Sequence, residues 1–417
     1  MKHVKGLINF INKSYTPFHV TENLKQMLLE TGYEYISTDL KNIELGKKYF
    51  TIFSDSALVA FTTPVTKENV EAHIVASHND SPTFKLKPNF KLSDNNYVRF
   101  NTEPYGGAIF ASFMDKVLGV AGRVIVKGEN GLESKLVCFE DDVIIPNVAI
   151  HMNREMNTNL NLNPQVDMLP LVSLNKEYSL FTEDVLSHDL FLYNKEKGLV
   201  WGKDKEFVSS PKLDDLECAY ASVVAIKDQE PNNNLNIAVV FNNEEVGSRS
   251  TTGAASNILE GLFKKVVEKL ELGEVEEVVK NSLIVSADNA HAIHPNHPEI
   301  ADRTNYPVMN GGVVIKHQAG LAYTTDALSE AAFKQVLLDA KVPVQSYTNR
   351  SDKRGGGTLG SILLSSLPIA SVDIGLAQLA MHSSFETAGS KDVDHLVNAF
   401  VALFNAKLNI KNILINK

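Results

Sequence analysis

The sequence predicts an α/β protein: an α/β sandwich with a mostly parallel central sheet, interrupted by an inserted β-rich module. Three observations carry that expectation. Helix and strand patterns alternate at both ends of the chain, whereas the stretch from about Phe90 to Ser210 reads as short strands broken by Gly, Asn and Asp. At 417 residues and 44% hydrophobic content, the chain can bury a large core and exceeds the usual size of one domain. The expected division is a discontinuous domain over 1–89 and 210–417 and an inserted module over 90–209.

Each element follows from local pattern. MKHVKGLINFINKSYTPFHV has apolar residues at helical spacing but no apolar run long enough for a signal sequence or a membrane span, so an amphipathic helix of a cytoplasmic protein is expected. Thr21 reads as an N-cap, and the helical stripe of ENLKQMLLET stops at Gly32, a residue suited to ending a helix. KKYFTIFSD, SALVAFTT and AHIVASH are successive strands; VRFNTEPYGG, GRVIVKG, SKLVCFED and YSLFTED are the short strands of the module. Beyond Ser210 the order is helix (LDDLECAYASVVAIKD), strand (NIAVVF), helix (ASNILEGLFKKVVEKL), strand (NSLIVSAD), helix (TDALSEAAFKQVLLDA), then strand and helix again.

Composition excludes some partners. A net charge of −10 and a pI near 5.7, without clustered Lys and Arg, argue against a nucleic-acid surface. Cys138 and Cys218 are far apart and form no CxxC pair, so neither a disulfide framework nor a thiolate metal site is expected; both read as buried thiols in a reducing compartment.

The acids and histidines gather where open α/β sheets bind ligands, at the carboxyl ends of strands. AHIVASHND ends a strand with His78 and Asp80, IAVVFNNEE with Glu244 and Glu245, and NSLIVSADNAH with Asp288; His382 follows the strand of SVDIGLAQLAMHS. SPKLDDLECAY sets Asp214 and Asp215 at a helix N-terminus, where the helix dipole alone would favour acids. Singly, each of these is a common loop or capping residue. Their recurrence at the same end of successive strands assembles imidazole and carboxylate, the ligand set of Zn²⁺ and similar divalent metals.

SHNDSP, KLDDL, NNEEVGS, SADNAHAIHPN and LAMHS, in this order, resemble the five blocks of the M18 metallopeptidases, the aspartyl-aminopeptidase family. The segments PYGGAIFASFMDKVLGVAGRVIVKG and IPNVAIHMNR extend the resemblance through the module. It implies a zinc-peptidase-like fold with a dimerisation role for the module, and two divalent ions per subunit, Zn first with Mn or Co as alternatives. By position, His78 and Asp288 would serve one ion, Glu245 and His382 the other, and Asp214 both. Asp80 would orient the His78 imidazole, and Glu244 would be the general base. The adjacent acids of NNEEVGS then make sense: where a strand ends the chain turns, so both side chains can reach one site whose cations neutralise them.

The same resemblance implies an aminopeptidase acting on peptides with a free N-terminus, without nucleic-acid or membrane partners, in a homo-oligomer built from dimers, with a dodecamer among the arrangements. His151 of IPNVAIHMNREMN would reach the neighbouring subunit's active site. Three further residues are substrate candidates. Lys316 of GGVVIKHQAG would pair with an acidic first residue or sit solvated at a strand end. His291 of HAIHPNHPE would lie near the site together with His294, with His297 in solvent. Gly356 belongs to SDKRGGGTLGS, which lacks the closing Lys-Ser/Thr of a phosphate loop and is expected to bring backbone N–H groups to substrate. Two alternatives are a dinuclear amidase acting on acylated amino acids and a catalytically inactive assembly protein.

Overall fold

A computed structural model describes residues 2–408 and 410, apart from residue 354. Helices α1 (Val4–Ile11) and α2 (Pro17–Leu29) lead into strands β1 (Glu34–Tyr35), β2 (Lys48–Phe53), β3 (Ala57–Thr62) and β4 (Ala72–His78). Six strands follow without an intervening α-helix: β5 (Thr83–Asp94), β6 (Tyr97–Tyr105), β7 (Leu118–Gly128), β8 (Gly131–Cys138), β9 (Leu171–Ser173) and β10 (Val185–Asn194). After β11 (Leu199–Trp201) and β12 (Phe207–Ser210), alternation resumes with α3 (Leu213–Lys227), β13 (Leu235–Phe241), α4 (Ile258–Lys269), α5 (Val275–Lys280), β14 (Leu283–Ala287) and β15 (Ala290–His291). The chain closes with β16 (Val313–His317), α6 (Ala327–Asp339), β17 (Val344–Thr348), α7 (Leu359–Leu363), β18 (Ala370–Gly375), β19 (Ala377–Leu379), β20 (Glu386–Gly389) and α8 (Asp392–Asn405).

The central sheet runs β1-β2-β3-β13-β4-β14-β18-β16-β17. Its middle, β13-β4-β14-β18, is parallel throughout. Strands in such a position are buried on both faces and must be apolar on both. In β13, Ala238 and Val240 enter the core beneath α1, α2, α3 and α8, while Ile237, Val239 and Phe241 enter the opposite core beneath α4 and α7. The six strands after β4 form a separate antiparallel sheet, β8-β7-β10-β5-β6-β9, with its own core around Phe84, Phe100 and Leu190. A third, five-stranded sheet runs β11-β12-β20-β19-β15.

Local reading fails in three places. Thr21 lies inside α2, not at its cap: Pro17 holds the first helical position and Thr16 the extended residue before it. YSLFTED is not a strand; Leu180 and Phe181 plug the core of the six-stranded sheet, with the Phe181 ring edge-on to Phe90, and β10 begins only at Val185. Cys138 is exposed because β8 is an edge strand, whereas Cys218 is buried.

Candidate metal centre

Parallel pairing puts the carboxyl ends of β13, β4 and β14 side by side, with Phe241 opposite His78. Beyond Phe241 the chain must turn. Asn243 takes a left-handed backbone at φ 62°, and a single 3-10 turn, Glu244–Val246, presents both glutamates before Gly247 at φ 97°. From the other side, Asp214 and Asp215 lie in the first turn of α3 with non-helical backbone angles, and the N-cap position is held by Lys212, which makes no side-chain capping bond. They are therefore not helix caps: the Asp214 N–H donates to Glu386 (3.0 Å) and Asp215 accepts from the His78 N–H (3.2 Å). His382, at φ 68°, arrives from the third sheet beyond β19.

These residues meet. His78, Asp214, Asp215 and Asp288 offer ligand atoms within 4.8 Å of one another, as do His78, Glu244 and Glu245, and also Asp214, Glu245 and His382. Asp214 belongs to two of these groups. His382 Nε2 lies 3.4 Å from both Asp214 and Glu245, and His78 Nε2 lies 3.7 Å from Asp214. Each imidazole is held from behind: His78 Nδ1 contacts the Asp80 backbone carbonyl (3.1 Å) and carboxylate (3.3 Å), and His382 Nδ1 the Gly107 carbonyl (3.1 Å). That arrangement leaves Nε2 free toward the carboxylates in both rings.

The electrostatics show a surplus of acid. Burial, with the charge of Asp214, raises Glu245 well above the usual carboxylate range. Burial likewise raises Glu244, where the nearby His78 only partly offsets Asp288 and Asp80, leaving its pKa at about 7. Asp288 rises to about 6 through burial, opposed by Lys316. For His78 burial works against protonation, but the hydrogen bond to Asp80 and the charges of Asp215 and Glu244 prevail and raise its pKa. Asp214 is also pushed up by burial, yet the hydrogen bond from His382 and the charge of His78 hold it below the ordinary value. Oδ1 of Asp214, Oδ1 of Asp215 and Oε1 of Glu245 are buried without a hydrogen-bond partner among the described residues. Clustered anions with orphaned oxygens are costly unless cations meet them, so the donor set fits divalent metal.

The remaining candidates divide. Lys316 is buried, 2% exposed, with Nζ bonded to the carbonyls of Asp288 (2.7 Å) and Asn289 (3.3 Å) and 3.7 Å from the Asp288 carboxylate. It is no solvated strand-end lysine. Lys316, His291 and Gly356 line the same cleft as the metal-ligand candidates, whose volume is about 360 Å³. His294 is turned instead to His297, 5.3 Å away in the exposed loop that follows. His151 lies in an exposed turn of the segment between β8 and β9 and is not among the residues lining this chain's cleft.

Sequence reasoning missed several residues that hold this centre. Glu386 places one oxygen on the Asp214 N–H (3.0 Å) and the other on the His382 N–H (2.7 Å). At the end of β6, Tyr105 donates to Asp80 (2.8 Å), Gly106 packs so closely that an added Cβ would lie 3.0 Å from that of Glu245, and Gly107 receives His382. Gly106 has φ 70°, so glycine suits both its backbone and its close approach. The only sequence signal was the PYGG turn at a strand end.

The comparisons with known proteins agree with this chemistry. The family model described as aminopeptidase I zinc metalloprotease (M18) matches residues 10–182 and 173–404. A probable M18 family aminopeptidase 2 of Clostridium novyi is 42% identical, over 97% of this chain and 99% of the relative. Among solved structures, Ape4 in its complex with Nbr1 superposes at a TM-score of 0.92 with 30% identity, covering 99% of this chain and 87% of Ape4. The yeast mApe1 dodecamer superposes at 0.82 with 26% identity, covering 98% of both chains. A shared fold, near-complete coverage and an acid and imidazole centre suited to divalent metal lead to one conclusion: the chain belongs to the M18 family of zinc metallo-aminopeptidases.

Proposed function

We propose that this M18 aminopeptidase works through two metal ions, with His78 and Asp288 as ligands of one, Glu245 and His382 as ligands of the other, and Asp214 shared. The observation that carries this reading is that Asp214 stands in two ligand groups at once, each with an imidazole, and keeps a buried oxygen unpartnered. When bound, the ions would polarise the scissile carbonyl and acidify a water molecule.

The chain's own residues would do the rest. Asp80 fixes His78 through Nδ1 and, with its two oxygens, accepts the backbone N–H groups of Glu244 (3.0 Å) and Glu245 (3.1 Å), so that one carboxylate sets the position of an imidazole and of both acids. Glu244, presented with Glu245 by the turn that follows β13 and grouped with His78, is poised to take a proton from the attacking water at its carboxylate and deliver it to the leaving amine. A preference for an acidic first residue would have to draw on Lys316, which lines the cleft but whose ammonium is already bonded to the carbonyls of Asp288 and Asn289 and lies beside Tyr323, 5.1 Å from the ring centroid. The dodecamer of mApe1 supports an oligomer for this chain as well; in it, exposed His151 would enter a neighbouring subunit's site.

Metal content per chain after dialysis, with release of the first residue from a panel of aminoacyl substrates in Zn²⁺, Mn²⁺ and Co²⁺, tests this function. Two ions per chain and hydrolysis restricted to free N-termini are expected. One ion, or hydrolysis of N-acetylated peptides, would overturn the reading. If Lys316 reads the side chain, Lys316→Ala loses activity on Glu and Asp substrates selectively; a uniform loss assigns it no such role.

A further inference from the structure

Among the buried carboxylates that the proposed chemistry leaves unused is Asp373. Asp373 lies on β18, is fully buried, and is satisfied by two different segments of chain. Its Oδ2 accepts from the backbone N–H (2.5 Å) and hydroxyl (2.7 Å) of Thr324, and its Oδ1 accepts from the Thr358 hydroxyl. Its own N–H donates to Thr325 Oγ1 (2.9 Å), so the Thr324–Thr325 pair is held from both the backbone and the side chain.

Thr324 adjoins Tyr323, and Thr358 adjoins Gly357 and Gly356; Tyr323, Gly356, Gly357 and Thr358 all line the cleft. The two segments also approach each other, since a Cβ on Gly357 would lie 3.8 Å from the Ala322 carbonyl oxygen. The start of α7 is pressed onto this network: a Cβ on Gly360 would fall 2.9 Å from both Asp373 Oδ2 and Thr324 Oγ1. Glycine-rich chain has more conformations to lose than any other, so a segment such as 355–357 stays in one place only if its flank is tied. Thr358, tied to Asp373, is that flank.

We propose that Asp373 is a positioning residue for substrate: it clamps the Tyr323 segment and the glycine-rich segment into one wall of the cleft without touching the metal ligands. This rests on the aminopeptidase reading for what fills the cleft, though not for the clamp itself. Asp373→Asn keeps the shape of the side chain but replaces one acceptor oxygen with an NH₂ group, which must face a hydroxyl or N–H donor.

The test compares Asp373→Asn with the parent enzyme in three measurements. KM is expected to rise about tenfold with kcat within about threefold, the signature of lost binding rather than lost chemistry. Metal content is expected to be unchanged, and amide hydrogen exchange to accelerate together in 318–325 and 355–358. Loss in kcat alone, or acceleration in neither segment, overturns the proposal. If Asp373→Asn does not fold, Thr358→Val removes one arm only and must raise KM and exchange in 355–358; unchanged values overturn the proposal equally. Should the parent release no N-terminal residue, the aminopeptidase reading fails, and the exchange measurement still decides whether Asp373 ties the two segments.

Discussion

The Tyr105 hydroxyl donates a 2.8 Å hydrogen bond to Asp80, joining the last residue of a strand in the six-stranded sheet to the carboxylate that orients the metal-ligand candidates. Burial and the Asp80 charge push the Tyr105 pKa far above its ordinary value, so the phenol remains a donor. Tyr105→Phe removes this donor while keeping the ring packed against Phe191. Activity is expected to fall about tenfold to a hundredfold, as for outer-shell partners of metal sites generally. Steady-state kinetics at full metal loading check it; activity equal to the parent would separate the second sheet from the chemistry.

Glu386 ties the backbones of Asp214 and His382, which come from opposite sides of the site. Glu386→Ala is expected to weaken metal binding by about ten- to a hundredfold. Competition with a chelator of known affinity measures this directly. Parent-like affinity would reduce Glu386 to a packing residue.

Glu244→Gln keeps a hydrogen-bonding side chain but cannot accept the proton. The variant is expected to hold its metals and lose several orders of magnitude in kcat, whereas Glu245→Ala and His382→Ala should lower metal stoichiometry. A Glu244→Gln variant within about tenfold of the parent, or about 1.4 kcal/mol of barrier, would exclude Glu244 as the base.

Asp189 accepts from Lys85 (2.7 Å) and Arg123 (3.0 Å), and Arg123 also donates to the Ser54 carbonyl (3.0 Å), so this cluster links the six-stranded sheet to the loop between β2 and β3. Burial raises the Asp189 pKa, but the two cations prevail and hold it below the ordinary 3.8. Because the folded value lies below the unfolded one, the pair's stabilisation is present above the unfolded pKa and disappears as pH falls through the folded one. Asp189→Asn should therefore cost about 1–3 kcal/mol at neutral pH, with the difference shrinking below pH 3.8. Thermal melts of both proteins at pH 7, 5 and 3 check the sign; a gap that widens in acid would contradict it.

His151→Ala is expected to lose about 10²–10³ in kcat with its metals retained, if the imidazole donates to developing charge in a neighbouring site. Mixing Glu244→Gln chains with His151→Ala chains, under conditions that let subunits exchange, would then create sites with an intact Glu244 from one chain and an intact His151 from the other. Recovered activity is the expected result. If mixing restores none, His151 does not act across subunits.

The sequence by itself determined the strands that frame the centre and the polar residues at their ends. A parallel strand buried on both faces is mostly apolar, so the polar runs that follow AHIVAS, NIAVVF and LIVSA mark where the chain leaves the core, and His78, Glu244 and Asp288 stand in them. Side-chain chemistry and residue order in five short blocks carried the family. Only the tertiary structure decided which groups hold that centre in place. His382 meets the Gly107 carbonyl across 275 positions of chain, and Glu386 reaches Asp214 across 172. Tyr105, Glu386 and Asp373 have no periodic or capping signature, because each acts through a partner brought near by sheet pairing and not by sequence spacing. The same limit explains Thr21: its hydroxyl suits a cap, but the helix had already begun at Pro17, whose ring sets φ for the first turn. Local pattern reports what a residue can do next to its neighbours, while the register of distant strands decides what it meets.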